Sequence, residues 1–581
     1  MNGNGYLKTF NDTLDAVNGV IWHNVVLYAV LGVGLLFTIW TGFCQYRALT
    51  HGVQVTRGKY DDKNDPGAIN HFQALSAALS ATVGLGNIAG VALAIMLGGP
   101  GAVFWMWMVG IVGMALKTTE VTLSMIYRNT EDSDNPHGGP MFVASKGFAK
   151  MGLPRIGKAV GGIFVITLLI STITGGNMFQ AWNVADITYQ YFGIPQIVVG
   201  IFLAVVVGMV IIGGIKRIGA VAGRLVPFMC TMYLLAALYV VGIHFADIPT
   251  LLRLIVVEAF SPTHAQGAFL GGTAGYALLW GMKRALFSSE AGQGSSPIAH
   301  SAAKTDEPVR EGVVAGLEPF IDTLVVCTLT SLVILSTGVW NRGPDMPFVA
   351  APIVSSDVSG AWTMAPTAIE RIDSVDLFEG ATVYTIVEAD TINKNTGLTL
   401  HRIDGSLKGV EGEGAVTVTW AAPDPEWGEI RPAAPGAFFD FKGATLTAKA
   451  FDEVTPGLGK WLVSLAAWLF ALSTAISWSY YGEQGVIYLF GERLVMPYKL
   501  AYCMLIIVAS VPQLIATDAQ LDNLTALGTG VMLWSNIPIM LIFGVIAMRA
   551  YHDYFRRLKT GEMHGHKAPP ITEVIEGHDV E

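Results

Sequence analysis

The stretches Thr82–Asn87 (TVGLGN) and Ser289–Ser296 (SEAGQGSS) each interrupt a long apolar segment with glycine and polar residues. One stands in each half of the chain. In hydrocarbon an unpaired backbone amide or carbonyl costs several kcal/mol, so a helix breaks at membrane depth only where protein, water or a ligand satisfies the freed groups. Two such breaks in corresponding positions predict a binding site where they meet.

The composition is typical of membrane proteins. Of 581 residues, 52% are hydrophobic and 14% are charged, with 66 glycines. Many apolar runs reach about 18 residues or more, the length that crosses a bilayer as a helix. The formal net charge of −10 offers no broad basic surface, so nucleic-acid binding is not expected. The sequence predicts an all-α polytopic protein that is embedded in a lipid bilayer.

Apolar runs predict eleven transmembrane helices. They lie near residues 20–43, 71–98, 101–127, 157–182, 194–214, 218–245, 267–298, 309–339, 458–491, 495–517 and 523–549. The first run lacks the basic region and cleavage site of a signal peptide, so we expect it to be retained as a helix. The cysteines lie in or beside these runs without metal-ligand spacing and are interpreted as small core residues: Cys44, Cys230, Cys327 and Cys503.

Arginine and lysine predict the orientation, because short cytoplasmic loops are enriched in them. Basic residues occupy alternate loops, within 47–63, 128–155, 216–217, 304–310 and 493–499, and the tail carries Arg549, Arg556, Arg557 and Lys559. With eleven spans this pattern predicts an N-terminus outside and a C-terminus in the cytoplasm. We expect a multi-pass protein of the plasma membrane, which in a bacterium is the inner membrane.

Residues 340–455 differ in character from the apolar runs. Proline, aspartate and threonine are frequent there, and short runs alternate with a period of two, as in 381–387 (ATVYTIV) and 415–420 (AVTVTW). Such alternation predicts strands. We expect a small β-rich extracytoplasmic insert that serves as a lid or surface feature, because no carboxylate pair, Cys/His cluster or phosphate loop in it suggests chemistry.

The two breaks fall in the second and seventh predicted spans. These two spans are five apart, and an odd number of spans reverses the direction of a repeat across the membrane. Helices two to six and helices seven to eleven are therefore predicted to form an inverted 5+5 repeat with two discontinuous helices. The predicted parts are an N-terminal segment with an accessory helix (1–70), a first repeat (71–245), the start of the second repeat (246–339), the insert (340–455), the rest of the second repeat (456–550) and a cytoplasmic tail (551–581).

The first break offers groups for both an amino acid and a cation. Unwinding at Gly84 and Gly86 exposes amides at the start of a half-helix, which suit a carboxylate, and carbonyls, which suit a hard cation such as Na⁺. The alternative is a close helix crossing that uses small residues for packing alone. The paired second break favours a binding role.

The second break follows Lys283 and Arg284. These side chains either form gating ion pairs or lie at a helix end and reach toward water. Glu290 either caps half-helix amides or belongs to the permeation path, and both interpretations stay open. The residues of this break that we expect to bind substrate are Gly292, Gln293 and Gly294.

Hydroxyl groups cluster in the fourth and ninth predicted spans, at 171–180 (STITGGNMFQ) and 470–483 (FALSTAISWSYYGE). Ser473, Thr474 and Ser477 lie at i, i+1 and i+4, so two or three hydroxyls can share one helix face as oxygen ligands for a small cation. The alternative for each is a hydrogen bond between helices or back to its own helix.

Further ionisable residues lie inside or at the ends of apolar spans: Lys117, Glu120, Glu318 and Asp322. Each is a candidate for function, although Lys117 and Glu120, three positions apart, also suit a structural ion pair. The sequence has no Walker loop, His-Glu-x-x-His or Gly-x-Ser-x-Gly motif. An enzyme is therefore not expected.

Several motifs resemble those of the alanine or glycine:cation symporters, also called sodium:alanine symporters or amino acid carrier proteins. The resembling stretches are 80–94 (SATVGLGNIAGVALA), 98–105 (GGPGAVFW), 138–142 (GGPMF), 175–180 (GGNMFQ), 287–304 (FSSEAGQGSSPIAHSAAK), 305–312 (TDEPVREG) and 473–483 (STAISWSYYGE). The insert at 340–455 departs from that family, in which a much shorter connection is expected.

The resemblance implies the inverted-repeat fold of the leucine transporter, with the first break cradling an amino-acid carboxylate. The residues that it implies for substrate are Thr82, Val83, Gly84, Leu85, Gly86, Asn87, Phe179, Gln180, Gln293 and Trp478. Those that it implies for sodium are Ser80, Val83, Ser473, Thr474 and Ser477, with Thr82 and Asn87 as a possible second position. Bulky rings in such a pocket restrict it to small side chains.

These observations predict a secondary active transporter that imports a small neutral amino acid, alanine or glycine, with Na⁺ as coupling ion and no other cofactor. Two alternatives stay open. One is a proton-coupled transporter in which Glu290 or Asp322 carries the proton. The other is a channel or transporter-derived receptor whose insert binds a ligand. The sequence does not rank the substrates or give the stoichiometry or oligomeric state.

Overall fold

The computed structural model describes residues 13–62, 65–132, 136–356, 362–370, 380–394, 396–410, 416–441, 443–511 and 518–562. Within these residues the chain is mostly helical. Seven helices are long and apolar enough to cross a membrane, or eight if one bent pair is counted as a single span. The protein is a polytopic membrane protein. Lys63, the end of the tenth predicted span (512–517) and the tail from 563 lie outside the described residues.

Helices make up most of the described chain on either side of a β region. They are α1 Asn24–Trp40, α2 Cys44–Arg47, α3 Val53–Thr56, α4 His71–Thr82, α5 Ala89–Gly98, α6 Gly101–Tyr127, α7 Pro140–Lys150, α8 Pro154–Ile173, α9 Phe179–Phe192, α10 Gln196–Ile211, α11 Gly214–Ile243, α12 Ile248–Glu258, α13 Ala274–Ser289, α14 Ser296–His300, α15 Pro308–Ala315, α16 Leu317–Pro319, α17 Thr328–Ser336, α18 Ala444–Val454, α19 Ser464–Phe490, α20 Val495–Ala509 and α21 Asp518–Thr560. π-Helical segments occur at Ala48–Gly52, Thr174–Met178, Phe320–Cys327 and Gly459–Val463.

The long helices and the bent pair coincide with eight of the predicted spans. The fifth and tenth predicted spans coincide with the shorter helices α10 and α20, and the seventh with α13 and α14. The total of eleven spans therefore stays a prediction. Helix α21 continues to Thr560, so the predicted tail at 551 begins inside a helix whose last turn carries Arg557 and Lys559.

The first break follows from glycines and side-chain caps. Helix α4 begins with a capping box in which Asn70 and Gln73 bond each other's backbone amides, and it ends at Val83. Gly84 is extended (φ −136°, ψ −160°), and the Asn87 side chain accepts a hydrogen bond from its amide at 2.8 Å. The helices on either side of the break are bent by 58°. This confirms that the predicted second span is discontinuous.

The second break depends on left-handed backbone conformations, which only a few residue types adopt readily. Glu290 ends α13 in the left-handed region with φ 53°, and Gly292 and Gly294 follow at φ 79° and 81°. Pro297 then lies in the first turn of α14, where its missing amide costs nothing. The second interruption predicted from the sequence is therefore present between α13 and α14.

The two broken helices lie side by side in opposite directions. The start of α4 meets the end of α14, because Ala68 N donates to Ala302 O and Lys304 N donates to Ile69 O, both at 2.8 Å. The end of α5 meets the start of α13, where a Cβ on Gly98 would stand 3.2 Å from the Cα of Ala277. The breaks thus face each other midway between these two ends.

The joined ends of α4 and α14 are held by a buried arginine. Arg128, just after α6, donates to the carbonyl oxygens of Ser301 and Ala303 at 3.0 and 2.8 Å, and to that of Thr305. It also donates to the carbonyl oxygen of Pro66 at 3.2 Å. One guanidinium therefore connects both broken helices at the end of the molecule where the basic loops gather.

A β region lies between α17 and α18. Its strands are β1 Met346–Pro347, β2 Val354–Ser356, β3 Trp362–Met364, β4 Thr367–Ala368, β5 Thr382–Ala389, β6 Leu400–Lys408, β7 Thr417–Trp420, β8 Ile430–Pro432 and β9 Gly436–Phe439. They pair antiparallel in the order β1-β9-β5-β6-β7-β4, with β8 on β5, while β2 pairs with β3. Val383, Ile403, Leu407 and Val418 are buried in its core.

The last part of the predicted insert is helical and packs on the membrane helices. Helix α18 occupies 444–454, and the Thr447 hydroxyl donates to the carbonyl oxygen of Ile88 at 3.1 Å. A Cβ on Gly443 would stand 3.0 Å from the Cβ of Ala89. The strands therefore end at Phe439. Helix α18 covers the start of α5, because the alanine and threonine face of α18 is buried against α5.

Candidate functional site

A narrow cavity lies between the two breaks. Both breaks line it, together with residues of α8, α9, α19 and α21. Its free volume is about 10 Å³, which is roughly the volume that one water molecule needs. A small amino acid therefore requires an outward movement of the walls before it can enter.

Several predicted site residues meet at this cavity. Those that line it are Thr82, Gly84, Gly86, Gln180, Gln293, Thr474 and Trp478. Gly84 is at the centre of the group, since a Cβ built there would stand 2.5 Å from Thr474 Oγ1 and 3.7 Å from Gln180 Oε1. Residues from the second, fourth, seventh and ninth predicted spans therefore surround one unwound glycine.

The cavity walls carry oxygen atoms that have no hydrogen-bond partner among the described residues: Gln180 Oε1, Gln293 Oε1 and Thr474 Oγ1. The amide nitrogen of Gln180 donates to Gly175 O at 3.1 Å, and that of Gln293 donates to Leu286 O at 2.7 Å. These bonds orient each Oε1 as a free acceptor. A buried acceptor without a donor is costly, so the group is suited to an ammonium or a cation.

Two aromatic side chains limit the size of the cavity. A Cβ on Gly175 would stand 3.2 Å from the Phe287 ring, and one on Gly176 would collide with Trp478. Phe179 does not line the cavity but packs edge-on against Phe287, with ring centroids 5.1 Å apart. The rings that line the cavity are therefore Phe287 and Trp478, with Phe179 packed against Phe287, and a role in limiting substrate size stays a prediction.

The predicted sodium ligands gather beside the cavity where α4 crosses α19. Ser80 Oγ donates to Ser473 O at 2.8 Å, and Ser473 Oγ reaches Ser80 O at 3.3 Å. The hydroxyls of Thr474 and Ser477 are buried and have no hydrogen-bond partner among the described residues. Val83 is buried at the end of the same half-helix. The hydrogen bonds thus join Ser80 to Ser473, and Thr474 lies beside Gly84; the five residues as a sodium site stay a prediction.

The residues of the possible second sodium position have other partners. The Thr82 hydroxyl bonds back to the carbonyl oxygens of Ala78 and Leu79 at 3.4 and 3.5 Å. The Asn87 amide group donates to the Asp322 carboxylate at 2.5 Å and its oxygen caps Gly84. Over the described residues no group of three or more His, Cys, Asp or Glu is placed to hold a metal ion.

Not every predicted residue reaches the cavity. Gly292 and Gly294 lie outside its lining, because the Gly292 carbonyl accepts from Asn536 at 2.9 Å and the Gly294 amide donates to Glu120 at 3.1 Å. Leu85 is buried behind the first break. The left-handed glycines therefore shape the second break, while Gln293 between them presents its side chain to the cavity.

Asp322 is the residue that connects the two breaks. It is buried in the π-helical segment Phe320–Cys327, and its carboxylate accepts hydrogen bonds from Asn87 at 2.5 Å and from Ser288 at 3.0 and 3.1 Å. Thr323 donates a further bond at 2.8 Å. The sequence marked Asp322 as ionisable but left its role open, because the partners lie in two distant breaks.

An ion pair lies at the wall of a second, larger cavity. Asp522 accepts from Lys283 at 2.8 Å and also contacts Arg284. This cavity has a volume of about 740 Å³ and is lined by residues of α5, α13 and the β region, among them Trp280 and Arg402. Lys283 and Arg284 therefore pair with Asp522, and a role of this pair in gating stays a prediction.

Comparison with known proteins gives one family. The model of the sodium:alanine symporter family matches residues 7–369 and 435–568, leaving 370–434 unmatched. The sodium/alanine symporter AgcS of Methanococcus maripaludis is 33% identical over 85% of this chain and 87% of its own length. The putative sodium/proton-dependent alanine carrier protein YrbD of Bacillus subtilis is 32% identical over 95% and 93%. The structure of MhsT with L-phenylalanine aligns at 13% identity and a TM-score of 0.45, covering 84% of this chain and 92% of that one.

Proposed function

This chain belongs to the sodium:alanine symporter family, and from that premise we propose that it imports small neutral amino acids, alanine and glycine, together with Na⁺. It is a transporter and not an enzyme. The transported pair binds between the two breaks, and alternating exposure of that site to the two sides of the membrane moves both across.

One observation carries the proposal. The residues Gln180, Gln293 and Thr474, each with a free oxygen, line the same cavity as the unwound Gly84, and the oxygens of Gln180 and Thr474 lie beside that glycine. An α-ammonium group has three N–H donors and suits three such acceptors. The carboxylate of the same amino acid is then directed to the start of the half-helix after Gly84, where the helix dipole favours negative charge. Phe287 and Trp478 leave room only for a small side chain.

The coupling ion would bind to hydroxyl and carbonyl oxygens beside the substrate. Ser80, Ser473, Thr474 and Ser477 supply oxygens at the crossing of α4 and α19, which fits a small hard cation. Thr474 belongs to both groups, since its hydroxyl lines the cavity as well. Sodium and amino acid would then order the same residues, so each raises the affinity for the other.

The topology is part of the proposal. The opposed broken helices support an inverted 5+5 repeat of leucine-transporter type within 71–245 and 246–550, completed by eleven spans in all. The basic loops gather where Arg128 joins α4 to α14, so we assign that face to the cytoplasm. The 740 Å³ cavity and the β region then lie on the extracytoplasmic side, and the membrane is the plasma membrane of the host cell.

The direct test is uptake of labelled alanine and glycine into proteoliposomes. An inward sodium gradient is compared with an equal potassium gradient, and a sodium ionophore is added at steady state. We expect accumulation with sodium only, and its collapse with the ionophore. Binding of alanine without accumulation would contradict the proposal and favour a receptor.

Replacing Thr474 by alanine is expected to weaken sodium and alanine binding together. The change removes one oxygen that both sites share, and a tenfold loss for each corresponds to about 1.4 kcal/mol. The measurement is the half-saturating sodium concentration and the alanine KM in the same vesicles. Thr167→Ala is the matched control, because the Thr167 hydroxyl bonds Ser535 outside the cavity. A change in alanine KM at unaltered sodium dependence would remove Thr474 from the ion site.

A further inference from the structure

A groove lies on the outward face of α11, near the beginning of that helix. It has a volume of about 420 Å³ and is lined by Arg217, Ala220, Val221, Arg224, Leu225 and Phe228. We call these six residues the arginine groove. Arg217 and Arg224 are seven positions apart, which is close to two helical turns, so both arginines lie on one face of α11. Ala220 and Val221 lie between them and leave the groove open, because their side chains are short.

Both arginines of the groove are exposed and without a protein partner. Within the described ranges, no hydrogen bond or ion pair joins the guanidinium of Arg217 or Arg224 to another residue. The first turn of α11 contains no acidic residue, and no side chain caps its amides. These free amides add to the positive potential of Lys216 and Arg217. This end of the helix therefore suits an anion that the described part of the protein does not supply.

The length of α11 places the groove at one edge of the hydrocarbon layer. The helix ends at Ile243, and a hydrocarbon core of about 30 Å corresponds to about 20 helical residues. Counted back from Ile243, that length ends at Arg224. Gly219 gives the same level, since a Cβ there would stand 3.1 Å from the side chain of Ile69, at the joined ends of α4 and α14. Residues 217–224 therefore lie in the headgroup layer of the face that we assign to the cytoplasm.

The side chains of the groove match the two parts of a phospholipid. Helical side chains tilt toward the N-terminus of their helix, so Arg224 leans toward Arg217 and toward the headgroups. The two Cα atoms are roughly 10 Å apart along the helix axis, a gap that two long side chains can close around one phosphate group. A guanidinium binds phosphate through two parallel N–H donors. Leu225 and Phe228 continue the groove on the hydrocarbon side, where an acyl chain lies.

We propose that the arginine groove binds one anionic glycerophospholipid of the cytoplasmic leaflet. Arg217 and Arg224 hold its phosphate, and Leu225 and Phe228 contact the first part of an acyl chain. The choice of leaflet rests on the orientation given under the proposed function. Binding of the lipid requires neither Na⁺ nor an amino acid, so the two proposals are tested separately.

Arginines at a cytoplasmic membrane edge also occur without a lipid site, because they fix the orientation of the protein and attract every anionic headgroup nearby. In that case only the number of positive charges matters. Arg155 and Lys158 provide the comparison. They are exposed at the start of α8, outside the groove, and no ion pair or hydrogen bond to another described residue involves them. Removing either pair removes two positive charges, but only one removal affects the groove.

The experiment uses the full chain, stripped of lipid in detergent, with native mass spectrometry to count bound lipid during a titration. We expect the wild type to bind one dioleoylphosphatidylglycerol about tenfold more tightly than dioleoylphosphatidylcholine, whose choline group would stand beside two guanidiniums. Arg217→Gln with Arg224→Gln is expected to lose roughly tenfold or more in affinity for the anionic lipid, since each basic residue near a headgroup contributes about 1 kcal/mol. Arg155→Gln with Lys158→Gln is expected to stay within about twofold.

Two further variants test the geometry of the groove. Arg217→Lys with Arg224→Lys keeps both charges and loses the bidentate donors, so we expect an affinity between those of the wild type and the glutamine pair. Phe228→Ala keeps the arginines and shortens the apolar wall, and is expected to weaken dioleoylphosphatidylglycerol while leaving the short-chain dihexanoyl lipid unchanged. Millimolar inorganic phosphate is expected not to displace the dioleoyl lipid, because it gains nothing from the apolar wall.

The outcomes that would overturn the site are distinct. Equal losses in the two glutamine pairs would reduce it to non-specific charge, and equal affinity of the wild type for the two dioleoyl lipids would exclude recognition of an anion. Displacement by inorganic phosphate would replace the lipid by the free ion. The melting temperature of each variant is measured in the same detergent, and Arg224→Gln alone replaces the double variant should that fail to fold. A failure of sodium-driven uptake leaves these results untouched, and loss of the lipid site leaves the symport proposal untouched.

Discussion

Replacement of Gly84 by alanine is expected to abolish sodium-driven alanine uptake. The added Cβ would stand 2.5 Å from Thr474 Oγ1 and enter the space between that hydroxyl and Gln180. The backbone at Gly84 has φ −136°, which any residue adopts, so the effect comes from the filled cavity and not from backbone strain. We expect a loss of at least about 100-fold in kcat/KM, which corresponds to about 2.7 kcal/mol.

The measurement is initial uptake in proteoliposomes at matched protein content, with thermal stability in detergent measured alongside. Gly162→Ala is the control, because a Cβ at Gly162 would meet nothing within 4 Å. We expect the control to transport at the wild-type rate. Uptake by Gly84→Ala within threefold of wild type would show that substrate does not bind at the first break.

Loss of the Asp322 carboxylate is the second large effect that we expect. Asp322→Ala removes the carboxylate shared by Asn87 and Ser288, which stand on different breaks. It leaves these buried donors only the weak acceptor Cys327 Sγ and, for Asn87, the backbone carbonyl of residue 322 at 3.3 Å. Each such donor costs about 1 to 3 kcal/mol. The two breaks would lose their alignment, so transport should fall below detection and the melting temperature should drop.

Asp322→Asn distinguishes the bridging role from a loss of charge, because the amide retains one carbonyl oxygen that can accept from Ser288. We expect it to recover part of the stability and less of the transport. Asp247→Ala, with a side chain that is 61% exposed, serves as the neutral control. Full activity of Asp322→Ala would mean that the breaks are held in register by their own backbone.

The sequence was sufficient for the features that local chemistry determines. Glycines that stand with polar residues inside an apolar segment predicted both interruptions, at Gly84 and Gly86 and at Gly292 and Gly294. Long apolar runs predicted the main spans for the same local reason. The spacing of Ser473, Thr474 and Ser477 predicted a shared helix face, and the structure places that face against α4.

Features that depend on pairing between distant segments were not predictable in this way. Asp322 appeared as an ionisable residue and a candidate proton carrier but not as a bridge, because its partners Asn87 and Ser288 lie 235 and 34 positions away. The contacts of His71 and His300 with Glu311 join three helices that no local pattern connects. Gly292 and Gly294 were expected to bind substrate; the structure gives both a left-handed backbone outside the cavity lining, and their contact with substrate stays untested.

The hydrogen bond between Ser80 and Ser473 also bears on how the protein is made. The two residues are 393 positions apart, so at usual rates of synthesis the ribosome completes Ser473 roughly 20 to 80 seconds after Ser80. Until then the first break has no partner for its hydroxyl and its unwound backbone stays open. The transport site is therefore among the last parts to assemble, and a chain arrested before α19 exposes an unfinished membrane helix to cellular quality control.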